Sequence, residues 1–314
     1  LSIPLLAKLK FIILIAAALF FVTCNPGAKW NSYTLFFFDT VCDVKVFCSP
    51  AQLEVTQKEV SRIFTGIEKE FAPGSTDLSS APVLELFRAA DRVYRDSDGY
   101  FDISVGPLSE LWGFSTKAYR LPSPEEVQKI LPLVGLEKVK EEKGGLSLLS
   151  GMKLDWGGIA KGRGVDLAAK ALQRMGIRRG FINSGGDLYC WGTNPENTAW
   201  KIGIKHPRHQ GYVGVITISD IGVATSGDYQ RYFESGGVRY HHIFNPKTGY
   251  PAQGRQSVTV VGPETVYCDA LSTALFASPL PDAIIEKYPE YGAILVESNG
   301  SISRLGKDYP IELF

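Results

Sequence analysis

No charge of either sign predominates in this chain: 33 Lys and Arg stand against 33 Asp and Glu over 314 residues, a formal net charge of zero at pH 7. Affinity for a phosphate backbone comes from clustered cations that release counterions. No long basic run is present, so a nucleic-acid partner is not expected. Cysteine is scarce, at five residues, which excludes a disulfide-built scaffold. No Cys-x-x-Cys or Cys-His spacing offers a zinc site. Internal repeats, low-complexity stretches and long linkers are also missing, which favours one intertwined α+β unit over two separate domains. With 45% hydrophobic and 21% charged residues, the composition is that of an ordinary globular domain.

The one long apolar run, Phe11 to Val22, is short for a spanning helix, which needs about 20 residues. Lys8 and Lys10 precede it and Thr23, Cys24, Asn25, Pro26 and Gly27 follow, the layout of a secretory signal. An uncleaved membrane anchor is the alternative. Phe21-Val22-Thr23-Cys24 resembles the bacterial lipobox, in which the cysteine is acylated and lipid alone holds the protein to a membrane. The expected organisation is a signal over 1–24, a tether over 25–32 and a domain over 33–314. Removing residues 1–24 takes away Lys8 and Lys10 and leaves a net charge of −2. Of the remaining cysteines, Cys42 and Cys48 lie about 20 Å apart along one extended segment, too far to bond each other. Buried free thiols are expected.

The pattern of elements is mixed. Tyr33 to Cys48 reads as a long strand or hairpin. Ser49-Pro50 caps a helix carrying Val60, Ile63, Phe64 and Ile67 on one face. A second helix is expected over Val83 to Arg95 and a third from Ser123-Pro124-Glu125-Glu126. Gly99 to Leu108 between them is too punctuated by Gly and Pro for a regular element. From Gly151 the pattern becomes strand, Gly-rich turn and helix, the helix running from Val165 to Met175. Short strands follow near 181–183, 200–205, 211–219, 238–244 and 256–261, then a helix over Val266 to Phe276 and a strand over 293–297.

The turns carry the chemistry. Gly157, Gly158, Gly162 and Gly164 permit close approach of a phosphate to amides that open a helix, or serve as a packing turn. The order of residues is neither a Walker loop nor Gly-x-Gly-x-x-Gly. Asp269 and Thr273, four apart on a helix, project from one face. A carboxylate, a hydroxyl and a backbone carbonyl make an oxygen-only set suited to Mg²⁺; capping of its own helix by Asp269 is the alternative. His241 and His242 point to opposite faces of a strand, so only one serves a given cleft, and either is a candidate general base.

Six segments in order resemble the ApbE family: Phe101-Asp102-Ile103-Ser104-Val105-Gly106-Pro107-Leu108 with Leu111-Trp112-Gly113-Phe114; Leu154-Asp155-Trp156-Gly157-Gly158-Ile159-Ala160-Lys161-Gly162; Asn183-Ser184-Gly185-Gly186-Asp187; Ala224-Thr225-Ser226-Gly227-Asp228-Tyr229; His242-Ile243-Phe244-Asn245-Pro246-Lys247-Thr248-Gly249; and Cys268-Asp269-Ala270-Leu271-Ser272-Thr273-Ala274. The resemblance covers the chain from about Phe38 to Phe276.

The resemblance implies an α+β fold with a T-fold-like part and a Mg²⁺-dependent FAD:protein FMN transferase. Such enzymes, many of them exported lipoproteins, attach FMN to a Thr or Ser of flavoprotein subunits of Nqr and Rnf complexes. Some members instead hydrolyse FAD to FMN and AMP, and a flavin-binding lipoprotein without catalysis is a further alternative. It also implies a periplasmic protein held to the inner membrane through a lipid on Cys24. Metal ligands would be the Ala160 carbonyl, Asp269 and Thr273, and the catalytic histidine His242. FAD contacts would be Phe101, Asp102, Asp155, Lys161, Ser226 and Gly227, with Phe38 adjoining the flavin. Asn245 replaces the more usual Asp before Pro246, Phe38-Asp39-Thr40 replaces Met-Gly-Thr, and Thr76 to Pro82 only loosely echoes Ser-Glu-Leu-Ser-Arg-Leu-Asn.

Overall fold

The computed structural model describes residues 27–72 and 77–314. The signal, the lipobox with Cys24, and Thr76 lie outside the described residues. Strands β1 (Lys29–Phe37) and β2 (Thr40–Cys48) form an antiparallel hairpin closed by the pair Phe37 and Thr40. The turn residues Phe38 and Asp39 are both left-handed, at φ 53° and 56°, which matches the twist of the flanking strands. Because β1 starts at Lys29, residues 29–32 belong to the fold and not to a tether.

Helix α1 (Pro50–Glu70) opens with a capping box between Ser49 and Gln52, and α2 (Ala81–Asp96) is capped by the Ser80 hydroxyl, which accepts from the Val83 amide. The stretch from Gly99 to Leu108, expected to be irregular, ends in a 3₁₀ turn over Ile103–Val105 that runs into α3 (Gly106–Leu111). Gly106 takes a right-handed helical conformation, and Pro107 sits in the first turn, where a missing N–H leaves no bond unmade. After α4 (Pro124–Ile130), with its Ser123/Glu126 capping box, comes the small hairpin β3 (Lys140–Glu142) and β4 (Gly145–Ser147). Helix α5 (Ala160–Arg174) begins five residues earlier than Val165, so Gly162 and Gly164 lie inside it.

The strands that follow are β5 (Gly180–Ser184), β6 (Asp187–Trp191), β7 (Trp200–Lys205), β8 (Tyr212–Ile218), β9 (Ile221–Gly227), β10 (Tyr232–Ser235), β11 (Val238–His241), β12 (Phe244–Asn245), β13 (Tyr250–Pro251) and β14 (Arg255–Gly262). Helices α6 (Thr265–Ala277) and α7 (Pro281–Ile285) then precede β15 (Gly292–Glu297), β16 (Ile302–Gly306) and β17 (Ile311–Leu313). One eight-stranded sheet runs β1-β2-β5-β6-β9-β14-β15-β16, every neighbour antiparallel. A three-stranded sheet runs β17-β8-β7.

Both faces of the large sheet are covered. Val44, Ile182, Val258 and Leu295 point to the layer of α1, α5 and α6, whereas Leu188, Val223, Val261 and Ile294 point to the three-stranded sheet. The period of two along each strand thus splits the apolar residues between two cores. Burial on both faces also explains why β9, with its Gly, Ala, Thr and Ser, carries no alternating signal. A third cluster joins α3 and α4 to the β10–β13 region through Leu108, Trp112, Phe114, Val127 and Phe244. Cys42, Cys48, Cys190 and Cys268 are all buried free thiols, as expected. No helix among the described residues is long and apolar enough to cross a membrane.

Candidate active site

Helices α5 and α6 meet through glycine. A Cβ on Gly162 would lie 2.5 Å from the Thr265 carbonyl oxygen and 2.9 Å from the Asp269 Cβ, and one on Gly164 would lie 2.9 Å from the Phe64 ring. These two glycines therefore bring helices together instead of cradling an anion. Asp269, fifth in α6, does not cap its own helix. Its Oδ2 accepts the Gly162 amide of α5 at 3.1 Å and lies 3.6 Å from Lys161 Nζ. Lys161 Nζ is also 2.8 Å from Asp187 Oδ2, at the start of β6.

Two carboxylates thus share one ammonium in a buried corner. Burial raises the Asp269 carboxyl well above the carboxylate range, Asp187 raises it further, and Lys161 and the Gly162 amide oppose the shift. For Lys161, burial works against the charge, but Asp187 and Asp269 together outweigh it and hold the ammonium charged above the ordinary lysine range. Asp187 Oδ2 is buried and takes no directional hydrogen bond despite its ion pair. Two carboxyl groups against a single ammonium leave carboxyl oxygens in excess in this corner. Thr273, one turn beyond Asp269, shares a 3.0 Å hydrogen bond with Ser226, whose hydroxyl also meets Ser272 at 2.8 Å. This set fits a hard divalent cation that keeps some water or phosphate ligands. Among the described residues no three His, Cys, Asp or Glu cluster as a metal-ligand set, so a cation here would depend on hydroxyl and carbonyl oxygens beside the carboxylates.

The corner opens into a cavity of about 1210 Å³, lined among others by Phe38, Asp155, Ala160, Lys161 and His242. Phe38, Asp155 and Lys161 therefore stand where a bound molecule meets them. Phe101 and Asp102 do not line it. The Phe101 ring is only 2% exposed and lies against Gly158, while the Asp102 carboxylate turns inward to accept the Ser104 amide at 2.7 Å. Burial lifts that carboxyl to about 6. Ser226 and Gly227 lie one layer behind the wall, where Ser226 holds Thr273 and Gly227 abuts the Tyr229 ring.

Nor are all the glycine-turn amides available to an anion. Asp155 Oδ1 takes the Gly157 amide at 2.9 Å, the Trp156 carbonyl takes those of Ile159 and Ala160, and Asp269 takes that of Gly162. The Gly158 and Lys161 amides have no acceptor among the described residues.

The strand expected over 238–244 breaks between β11 and β12, and His242 sits at the break. His241 is buried with Nε2–H donating to the Ala252 carbonyl at 2.8 Å and Nδ1 accepting the Ile243 amide, so both nitrogens are committed. His242 faces the cavity. Its Nδ1–H donates to the Arg231 carbonyl at 3.2 Å, which leaves Nε2 as an open acceptor. Burial, then Arg231, His241 and Lys161, hold its pKa well below the usual histidine value, so the ring is neutral at pH 7.

Two residues here had no role assigned from sequence. Asp187 ends the Asn183-Ser184-Gly185-Gly186-Asp187 motif, whose turn was the only signal. Arg231 lies eleven positions before His242, and only the β10–β11 hairpin, pairing Tyr232 with His241, brings it to the cavity. Its Nη2 is 3.9 Å from where a Gly157 Cβ would sit.

Comparison with known proteins places this arrangement. The model of the ApbE family matches residues 39–295, and a protein of Haemophilus influenzae called FAD:protein FMN transferase is 31% identical over 295 residues, covering 84% of this chain and 85% of its own. The chain belongs to the ApbE family. A Vibrio cholerae protein of the same name is 31% identical over 289 residues, covering 85% of this chain and 86% of its own. Among solved ApbE structures, that of the Thermotoga maritima ApbE protein is similar at a TM-score of 0.80 and 31% identity, covering 88% of this chain and 97% of its own. The flavin transferase ApbE from Vibrio cholerae is similar at 0.80 and 27% identity, covering 90% and 98%. The α+β architecture is thus that of ApbE proteins.

Proposed function

We propose that this chain is a Mg²⁺-dependent FAD:protein FMN transferase, moving FMN from FAD to a Thr or Ser of a flavoprotein subunit of Nqr or Rnf type and releasing AMP. The observation that carries this reading is the pairing, on the wall of one cavity, of a neutral histidine with an open Nε2 and of Lys161, behind which Asp187 and Asp269 are buried. The names of the ApbE relatives supply the substrates.

The chain's own groups divide the work. Lys161, the amides of Gly158 and Lys161, the N-terminus of α5 and the Arg231 guanidinium attract and orient the pyrophosphate. The Arg231 carbonyl fixes the His242 tautomer, and Nε2 accepts the proton of the acceptor hydroxyl. The oxygen of that hydroxyl bonds to the FMN phosphorus, and the bond from that phosphorus to the bridging oxygen breaks with its electron pair leaving on AMP. A magnesium ion held by Asp269, Thr273 and the Ala160 carbonyl would neutralise phosphate charge. Acylation at Cys24 would keep the enzyme on the periplasmic side of the inner membrane, and mass spectrometry of the mature N-terminus checks it.

Incubation with FAD, Mg²⁺ and such a subunit tests the chemistry. Flavin fluorescence on the acceptor band with matching AMP is expected. AMP released equally fast without acceptor would mean hydrolysis, and FAD recovered intact would mean storage. Asp269→Ala is expected to abolish metal-dependent FAD turnover; full activity with unchanged Mg²⁺ dependence would overturn the site.

A further inference from the structure

Strand β7 has an open edge. It pairs with β8 on one side, from Trp200 opposite Ile218 to Lys205 opposite Tyr212, and among the described residues its backbone bonds to no other strand or loop. All five residues from Lys201 to Lys205 border the cavity that contains His242. Successive strand side chains point to opposite faces. Five in a row line one space only when the edge itself, with its peptide N–H and C=O groups, faces that space. Phe181, Leu188 and Val223 of the large sheet line the same cavity.

An open strand edge is satisfied by another extended backbone, which is how added strands bind in β-augmentation. The cavity, about 1210 Å³, is also larger than the roughly 300–1,000 Å³ of ordinary small-molecule sites. Lys201 and Lys205 at the two ends of the edge are exposed and form no ion pair among the described residues, although Lys205 Nζ lies 5.6 Å from the Tyr229 ring centroid. Lysines on free edges commonly discourage self-association. These two border the cavity that holds His242.

We propose that the open edge of β7 docks the acceptor: an extended polypeptide segment adds to β7 as a further strand, its acidic side chains beside Lys201 and Lys205, and presents its hydroxyl residue toward His242. The proposal rests on the transferase reading and specifies the conformation and charge of its acceptor. Main-chain bonds give affinity with little demand on sequence, and the lysines give preference for acid.

Amide hydrogen exchange over residues 201–205 tests it in the mature protein. The probes are FAD with Mg²⁺, a short synthetic peptide with a central Thr flanked by Asp, and the same peptide flanked by Lys. The Asp peptide is expected to slow exchange of the β7 amides by about tenfold, as about 1.4 kcal/mol of protection gives. FAD alone is expected to leave those amides unchanged. In the Lys201→Glu/Lys205→Glu variant peptide protection is lost while FAD affinity stays within about twofold, less than 0.5 kcal/mol. Protection by FAD alone would assign the edge to the dinucleotide and overturn the proposal. So would equal protection by the Lys peptide, or none by the Asp peptide at millimolar concentration. AMP release that ignores acceptor, together with peptide protection, would overturn the transfer chemistry and leave the docking edge standing.

Discussion

His242 accepts a proton only while its ring is uncharged, and burial does most to keep it so, helped by the charges of Arg231 and Lys161 and by the neighbouring His241 ring. Below its pKa the imidazole is protonated and transfer stops, so the acid limb of the pH–rate profile lies well below the ordinary histidine range. Arg231→Ala removes a positive neighbour and raises that pKa. The acid limb of kcat/KM is expected to move to higher pH, and Arg231→Lys to return it towards the parent position. An unmoved limb in Arg231→Ala would show that burial alone sets the ring. That only one of two adjacent histidines could serve the cleft was readable from strand geometry, and the resemblance to the ApbE family singled out His242. Arg231 could not be picked out, since its nearness to the ring depends on a hairpin register that the sequence does not display.

The two helices at the site cap each other. Neither Ile159 before α5 nor Glu264 before α6 supplies a side-chain cap. Instead Asp166 of α5 accepts the Thr265 and Val266 amides, both at 2.9 Å, and Asp269 of α6 accepts that of Gly162. A cap is sought in sequence beside the helix it closes, which is why Asp269 reads there as a cap of its own helix. Burial lifts the Asp166 carboxyl to about 6 against the pull of those amides. A folded pKa above the unfolded one means that the folded state binds the proton more tightly. The contribution to stability is therefore full below about pH 4 and lost as pH rises through about 6, amounting to about 3 kcal/mol. Asp166→Asn has no proton to lose. Its unfolding free energy, measured by urea titration from pH 4 to 7, is expected to lack that fall while being lower at pH 4, where one amide loses its acceptor. Parallel curves for the two proteins would contradict the assignment. Helices that begin at Ser-Pro were legible because their caps are local, and the early start of α5 was not, because its cap comes from α6.

At the scale of the molecule, the α+β class and the order of most elements were readable, since strands such as β2 and β7 and helices such as α1 carry their period in their own residues. The layering was not. β17 pairs with β8 across about a hundred residues, and β9 hides between covered faces. That layering decides how charge acts in a chain whose total is zero. With no general field to gather a pyrophosphate, attraction rests chiefly on Lys161, the one enclosed charge of the cavity wall among these, with Arg231 exposed at its rim, whereas Lys201 and Lys205 stand exposed along the β7 edge. Salt screens exposed charges over about 10 Å at 0.1 M and buried ones far less. Raising NaCl from about 0.05 to 0.5 M, which shortens the Debye length roughly threefold, is therefore expected to leave the KM for FAD nearly unchanged. The KM for an acidic acceptor segment is expected to rise several-fold over the same range. Measuring FMN transfer with each substrate varied in turn separates the two. An FAD KM that climbs as steeply as the acceptor's would place the pyrophosphate among the outer lysines and not at the α5–α6 corner.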